Sequence, residues 1–275
     1  MRHARACAGR NFGAAAFADI IGRLRRCAAR LKAASAGKAA SAEAKSAASA
    51  ESANRLARAP AILTGVFMTV IVVANPKGGV GKSTLSTNLA GYFAAQGEWV
   101  ALADLDRQQS AHAWLDLRPE TLPPIERWGV DLDNPAKPPK GLEHAVIDTP
   151  AGLHGNRLAA IVALADKVIV PLQPSMFDIL ATQDFLDRLA REKAVRKGAI
   201  QVGVVGMRVD ARTRSAEQLQ RFVEGLDLPV LGYLRDTQNY VQLAAHGLTL
   251  WDVAKSRVEK DLDQWRPIIS WVDGK

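Results

Sequence analysis

Apolar residues arrive along this chain in short unbroken runs, separated by longer stretches with helical spacing. The runs are 69–74, 99–103, 144–148, 168–171, 200–205 and 229–234. Apolar runs of this length, without a polar alternate face, predict strands covered on both sides. Between them, 83–96, 108–117, 177–197 and 211–225 carry helical patterns, and short helices close the chain. Pro119, Pro123 and Pro124 end the second helix, and 131–141, with Pro135, Pro138 and Pro139, reads as an irregular loop. Alternating buried strands and helices predict an α/β domain, a mostly parallel twisted sheet with helices on both faces.

The pattern begins only at Met68. Residues 1–67 are rich in Ala, Arg and Ser, with few large apolar side chains, and 33–50 is nearly all Ala, Ser, Lys and Glu. Such a low-complexity basic extension has little to bury and is expected to be disordered. It reads as an Arg-rich transit peptide, as a basic nucleic-acid tail, or as upstream sequence translated from an early start codon. The third reading is preferred, because Met68 stands one residue before the first strand. The expected domain therefore spans 68–275.

Charge changes the picture once it is divided in the same way. The chain's formal +8 comes from 36 Lys and Arg against 28 Asp and Glu, and 1–67 holds 12 of the former and 3 of the latter. The remaining 24 basic and 25 acidic residues leave 68–275 near neutral. Nucleic-acid binding by the domain would need a local patch. Cys7 and Cys27 also lie in the extension, which removes thiol-based metal sites, clusters and disulfides from the domain and fits a reducing cytosol. The apolar stretch 61–74 is shorter than the roughly 20 residues of a membrane span.

The candidate chemistry starts where the first strand ends, at Pro76-Lys77-Gly78-Gly79-Val80-Gly81-Lys82-Ser83-Thr84. Strand, glycine-rich turn and helix form the context of a phosphate-binding loop. The strict spacing G-x-x-x-x-G-K-[ST] ends on Gly81, Lys82 and Ser83, but its first position falls on Pro76. Glycines let backbone N–H groups approach phosphate oxygens, and the helix start adds partial positive charge. Lys82 would face the β and γ phosphates, and the Ser83 hydroxyl would ligate Mg²⁺. The stretch His144-Ala-Val-Ile-Asp148-Thr-Pro-Ala-Gly152 reads as a second nucleotide motif. Asp148, ending its strand, could hold the Mg²⁺ shell, and Gly152 could bring a free N–H to a γ-phosphate.

The form KGGVGKST, with Lys77 ahead of the glycines, resembles the ParA/MinD group of P-loop ATPases. That resemblance implies a P-loop NTPase fold, ATP and Mg²⁺ as ligands, and an ATP-sandwich homodimer in which Lys77 reaches the partner's nucleotide. The nucleotide-binding residues it implies are Lys77, Gly78, Gly79, Val80, Gly81, Lys82, Ser83, Thr84, Asp104, Asp148 and Gly152. The catalytic ones are Lys77, Lys82 and Asp106, and the metal-holding ones Ser83 and Asp148. The family's D-x-D-P-Q-G places the water-orienting carboxylate on Asp106, although Arg107 and Gln109 stand in place of its proline and glycine. Asp210-Ala-Arg212-Thr213 resembles a region where ParA proteins carry DNA-touching arginines, which nominates Arg208, Arg212, Arg214 and Arg221.

A second basic group, Arg188, Arg191, Lys193, Arg196 and Lys197, reads equally as a solvated helix end. The segment 234–239 resembles the family's adenine-side loop. The likeness covers about 68–255 and implies a slow, partner-stimulated ATPase that positions a plasmid, a chromosome locus or a protein cargo. Nonspecific DNA, a stimulating partner or cargo adaptor, no membrane, and a cytoplasmic, nucleoid-associated location are the expectations that follow. A membrane-recruited MinD-like protein would need a basic amphipathic C-terminal helix, whereas 256–275 holds three aspartates and is expected to be interrupted at Pro267. A small-molecule ligase of related fold stays open, and an iron–sulfur carrier is excluded by the missing cysteines.

Overall fold

The computed structural model describes residues 68–226 and 228–274. The expectation of disorder in 1–67 lies outside the described residues. The strands are β1 (Thr69–Val73), β2 (Val100–Asp104), β3 (Glu126–Trp128), β4 (His144–Asp148), β5 (Lys167–Leu172), β6 (Gln201–Gly206) and β7 (Val230–Tyr233). They form one sheet in the order β3-β2-β4-β1-β5-β6-β7, and every pairing in it is parallel. The carboxyl ends of all seven strands therefore share one edge. β1 and β4 lie side by side with Val73 opposite Asp148, so the phosphate loop and the second motif leave the sheet together.

The helices are α1 (Lys82–Ala95), α2 (Ser110–Leu115), α3 (Gly155–Val162), α4 (Met176–Leu189), α5 (Lys193–Arg196), α6 (Arg214–Glu224), α7 (Gln238–Ala244) and α8 (Lys255–Asp273). A 3-10 turn, Leu250–Asp252, precedes α8. The sheet divides the core in two. Val70, Val72, Val168, Val170 and Val204 face Leu158, Ile161, Phe185, Leu189 and Leu219 of α3, α4 and α6. Ile71, Val73, Leu102 and Ile169 face Leu85, Leu89, Phe93, Trp114, Trp265 and Ile268 of α1, α2 and α8. Strand residues that are buried on both faces lack alternation for this reason.

Three expectations need correction. The 177–197 helix is two, because among the described side chains none is buried between Leu189 and Ile200, and the chain turns at Ala190–Glu192. The closing helices are not all short, for α8 runs 19 residues through Pro267. Pro267 is exposed, so the intrahelical bond it cannot donate is lost on the solvent side, while Trp265, Ile268 and Val272 bury the opposite face. The helix bends instead at Val258, whose φ of −128° and ψ of 16° leave the helical range. Finally, β3 has no counterpart in the apolar pattern: it contributes one buried residue, Trp128, and no apolar run.

Candidate nucleotide site

The loop after β1 has the backbone that its glycines permit. Gly79 and Gly81 adopt φ of 76° and 98°, conformations that side chains rarely take. Nothing stands within 4 Å of where a Cβ would project from Gly78 or Gly79, which leaves an open cradle on that side. A Cβ at Gly81 would sit 2.6 Å from the Met207 methyl, so the loop after β6 closes tightly over this glycine. Val80 is buried beneath the loop, and Ser83 and Thr84 are half-buried in the first turn of α1. Asn75, buried at the loop's entry, accepts from the Lys77 N–H at 2.8 Å. It also donates to Pro171 O at 2.7 Å and Thr182 Oγ1 at 3.0 Å.

Lys82 opens α1 and turns inward, its Nζ donating to Lys77 O at 2.7 Å. Burial lowers its pKa, opposed by the negative charges of Asp148 and Asp106. Asp148 is pushed up to about 7, mainly by burial and further by Asp104. Hydrogen bonds from Ser83 and Ser86 and the charge of Lys82 act in the opposite direction. Lys82, Ser83, Asp148 and Asp106 are thus gathered at the ends of β1, β2 and β4. Among the described residues no group of three or more His, Cys, Asp or Glu side chains is placed to hold a metal. A cation held by Ser83 and Asp148 would take its other ligands from phosphate oxygens and water, which suits Mg²⁺ beside a nucleotide.

Two of the nominated residues behave differently from the expectation. Asp104 spends its carboxylate on backbone: Oδ1 accepts from Asp106 N at 2.9 Å, and Oδ2 from Ala111 N at 2.7 Å and His112 N at 3.2 Å. It shapes the turn that carries Asp106 and caps α2. The Gly152 N–H is not free, since it donates to Pro76 O at 2.9 Å and ties the second motif to the phosphate loop. Its φ of 73° supplies the turn that makes this reach possible.

Lys77 stands half-exposed, its Nζ 3.9 Å from Asp178 Oδ1 near the start of α4. Gln173, just after β5, donates to Gly79 O at 2.9 Å. Neither Asp178 nor Gln173 belongs to a recognisable motif, so only the fold brings them to the loop. The segment 234–239 is held by α8: Asp261, fully buried, accepts from Arg235 Nε at 2.5 Å and Asn239 Nδ2 at 2.6 Å. Gln264 accepts from the Arg235 N–H at 2.9 Å.

Arg208, Arg212, Arg214 and Arg221 are all exposed. Arg208 has a φ of 52°, and Arg212 forks onto Asp210 through two bonds of 3.0 Å. Arg188, Arg191, Lys193 and Lys197 are exposed or half-exposed as well. No helix among the described residues is long and apolar enough to cross a membrane.

An all-parallel sheet with a glycine cradle, a buried lysine and a serine–aspartate pair at one edge defines a P-loop nucleotide-binding protein. The sequence profile of the CobQ/CobB/MinD/ParA nucleotide binding domain matches residues 71–250. The chain belongs to that family. It is 31% identical over 218 residues to Maintenance of carboxysome distribution protein A of Gloeobacter kilaueensis, covering 72% of this chain and 95% of that one. It is 29% identical over 183 residues to the Chromosome-partitioning ATPase Soj of Thermus thermophilus, covering 54% and 73%. The solved ATP complex of a Cyanothece McdA variant superposes with a TM-score of 0.57 at 17% identity, over 74% of this chain and 97% of that one.

Proposed function

We propose that this chain is a Mg²⁺-dependent ATPase of the ParA type that dimerises around ATP, binds DNA without sequence preference and positions a cargo. The carrying observation is the convergence of Lys82, Ser83, Asp148 and Asp106 beneath an open glycine cradle, with Lys77 half-exposed beside it. Loop N–H groups and Lys82 bind the phosphates, and Ser83 with Asp148 holds Mg²⁺. The ion supplies neutralisation of phosphate charge. Asp106 orients water toward the γ-phosphate. Asp178 holds Lys77 until a second subunit offers it a phosphate, and the Gly152 N–H exchanges Pro76 O for the γ-phosphate.

The names of the curated relatives, one maintaining carboxysome distribution and one partitioning chromosomes, support placement of a cargo. The exposed arginines after β6 support a DNA track, and a cytoplasmic, nucleoid-associated location goes with it. The buried Trp265, Ile268 and Val272 on α8 support a tail docked on the domain rather than on a membrane. The test is calorimetry of ATP with Lys82→Ala. Binding should be lost, since the principal phosphate charge is gone, and unchanged affinity would refute the assignment.

A further inference from the structure

Gln109 and Arg208 are the two non-glycine residues with positive φ among the described residues, and Gln109 sits in the turn carrying Asp106. The left-handed conformation at its φ of 51° is unfavourable for a residue with a Cβ, which crowds the following carbonyl oxygen. The family pattern has glycine here, which avoids that cost. In this chain the side chain instead offsets it with three hydrogen bonds. Nε2 donates to Asp104 O at 2.8 Å and to Asp106 O at 2.8 Å, so the amide clips together the backbone on both sides of Leu105. Oε1 lies 2.7 Å from His112 Nδ1. Reversing the amide would press its oxygen against two carbonyl oxygens, so the orientation is fixed and Nδ1 carries the proton.

His112 is itself held. It is 6% exposed, and its backbone N–H donates to Asp104 Oδ2 at 3.2 Å. The sequence of supports therefore runs from the Asp104 carboxylate at the end of β2 to the backbone of His112, from the His112 ring to Gln109, and from Gln109 to the peptide of Asp106. Asp106 is half-buried and close enough to Lys82 for its charge to act on that lysine. A carboxylate that works by aiming a water depends on placement, and a shift of about 1 Å at a reacting centre can cost a hundredfold.

We propose that Gln109 and His112 are positioning residues for hydrolysis, an amide–imidazole clip that holds the Asp106 turn where the family pattern uses glycine. The clip rests on the reading of Asp106 as the water-orienting group. It acts on turnover and not on nucleotide affinity, because neither side chain contacts the phosphate loop.

The experiment uses the full chain and measures ATP turnover beside ATP affinity by fluorescent-nucleotide titration. Gln109→Gly leaves the turn with neither the clip nor the family's proline, for which Arg107 stands, so it and His112→Leu should each lower kcat about tenfold or more, with affinity and KM unchanged. Gln109→Gly also relieves the left-handed strain, so it should keep its melting temperature while losing turnover, a combination that a merely structural role would not give. His112→Asn should restore kcat, because its amide N–H takes the place of Nδ1–H. Wild-type kcat in both Gln109→Gly and His112→Leu overturns the clip, as does a loss that His112→Asn fails to rescue. Asp106→Ala separates the two readings. If it is slow while the clip variants are normal, only the clip fails, whereas if it turns over normally the reading of Asp106 falls first and the clip with it.

Discussion

Lys77 Nζ lies 3.9 Å from Asp178 Oδ1, with side chains 41% and 15% exposed. A pair this long and this wet contributes less than about 1 kcal/mol, whereas a charge-assisted bond from lysine to phosphate contributes about 1.5–3 kcal/mol. The contact can therefore hold Lys77 in place without preventing its transfer to a nucleotide. Asp178→Ala should leave ATP affinity within about twofold, and it should lower the protein concentration at which ATP drives self-association. Sedimentation across a dilution series checks this. An unchanged midpoint would remove Asp178 from the switch.

Asp148 carries a pH signature. Burial lifts its carboxyl to about 7, whereas an unfolded aspartate titrates at its ordinary 3.8. Between those values the folded state holds a proton that the unfolded state has released. The stability from this group is therefore full at the acid end and lost as pH rises through about 7. Asp148→Asn lacks that loss. Without nucleotide, it should melt above wild type near pH ~8, with the gap closing toward pH ~5. Thermal melts at both pH values check it, and a pH-independent gap would contradict the burial argument.

The fold and the phosphate loop were legible because both are written locally. Strand runs such as Val168–Pro171 and the spacing Gly81-Lys82-Ser83 carry their meaning within a few residues. What was not legible depends on distant partners. Asp178 meets Lys77 only through the β5–α4 connection, and Asp261 meets Arg235 only after α8 folds back. Gln109 departs from the family turn in sequence, and only the backbone shows how its side chain compensates. β3 gives no signal because an edge strand that buries Trp128 alone needs no apolar run. Pro267 misleads for a related reason, since an exposed proline on a packed helix costs a bond that water can replace.

The anchoring of 234–239 by α8 gives a prediction about the base. Asp261→Ala removes the acceptor for Arg235 and Asn239 from a fully buried position. It should destabilise the protein by about 1–3 kcal/mol and weaken ATP binding, with little effect on inorganic triphosphate. Urea melts and paired titrations check it. Equal weakening of both ligands would mean that the loop does not hold the base.

Arg212 is paired with Asp210 and Arg214 opens α6, both exposed on the same connection. Duplex DNA of any sequence should bind with ATP and much less with ADP, and Arg212→Glu with Arg214→Glu should weaken it without changing ATP affinity. Binding should fall with salt at a slope of about 0.9 per phosphate neutralised. Filter retention across a salt series checks it. Binding that ignores both nucleotide and these arginines would assign it to the basic residues 1–67.

Light scattering of Asp106→Ala tests the central claim most directly, because slow hydrolysis should trap the ATP state. With Mg²⁺ and ATP the mass should be that of two chains, with ADP that of one, and adding Lys77→Ala should return the ATP sample to one. A mass that is the same with ATP and ADP, or a dimer that survives the loss of Lys77, would contradict the ATP-sandwich account.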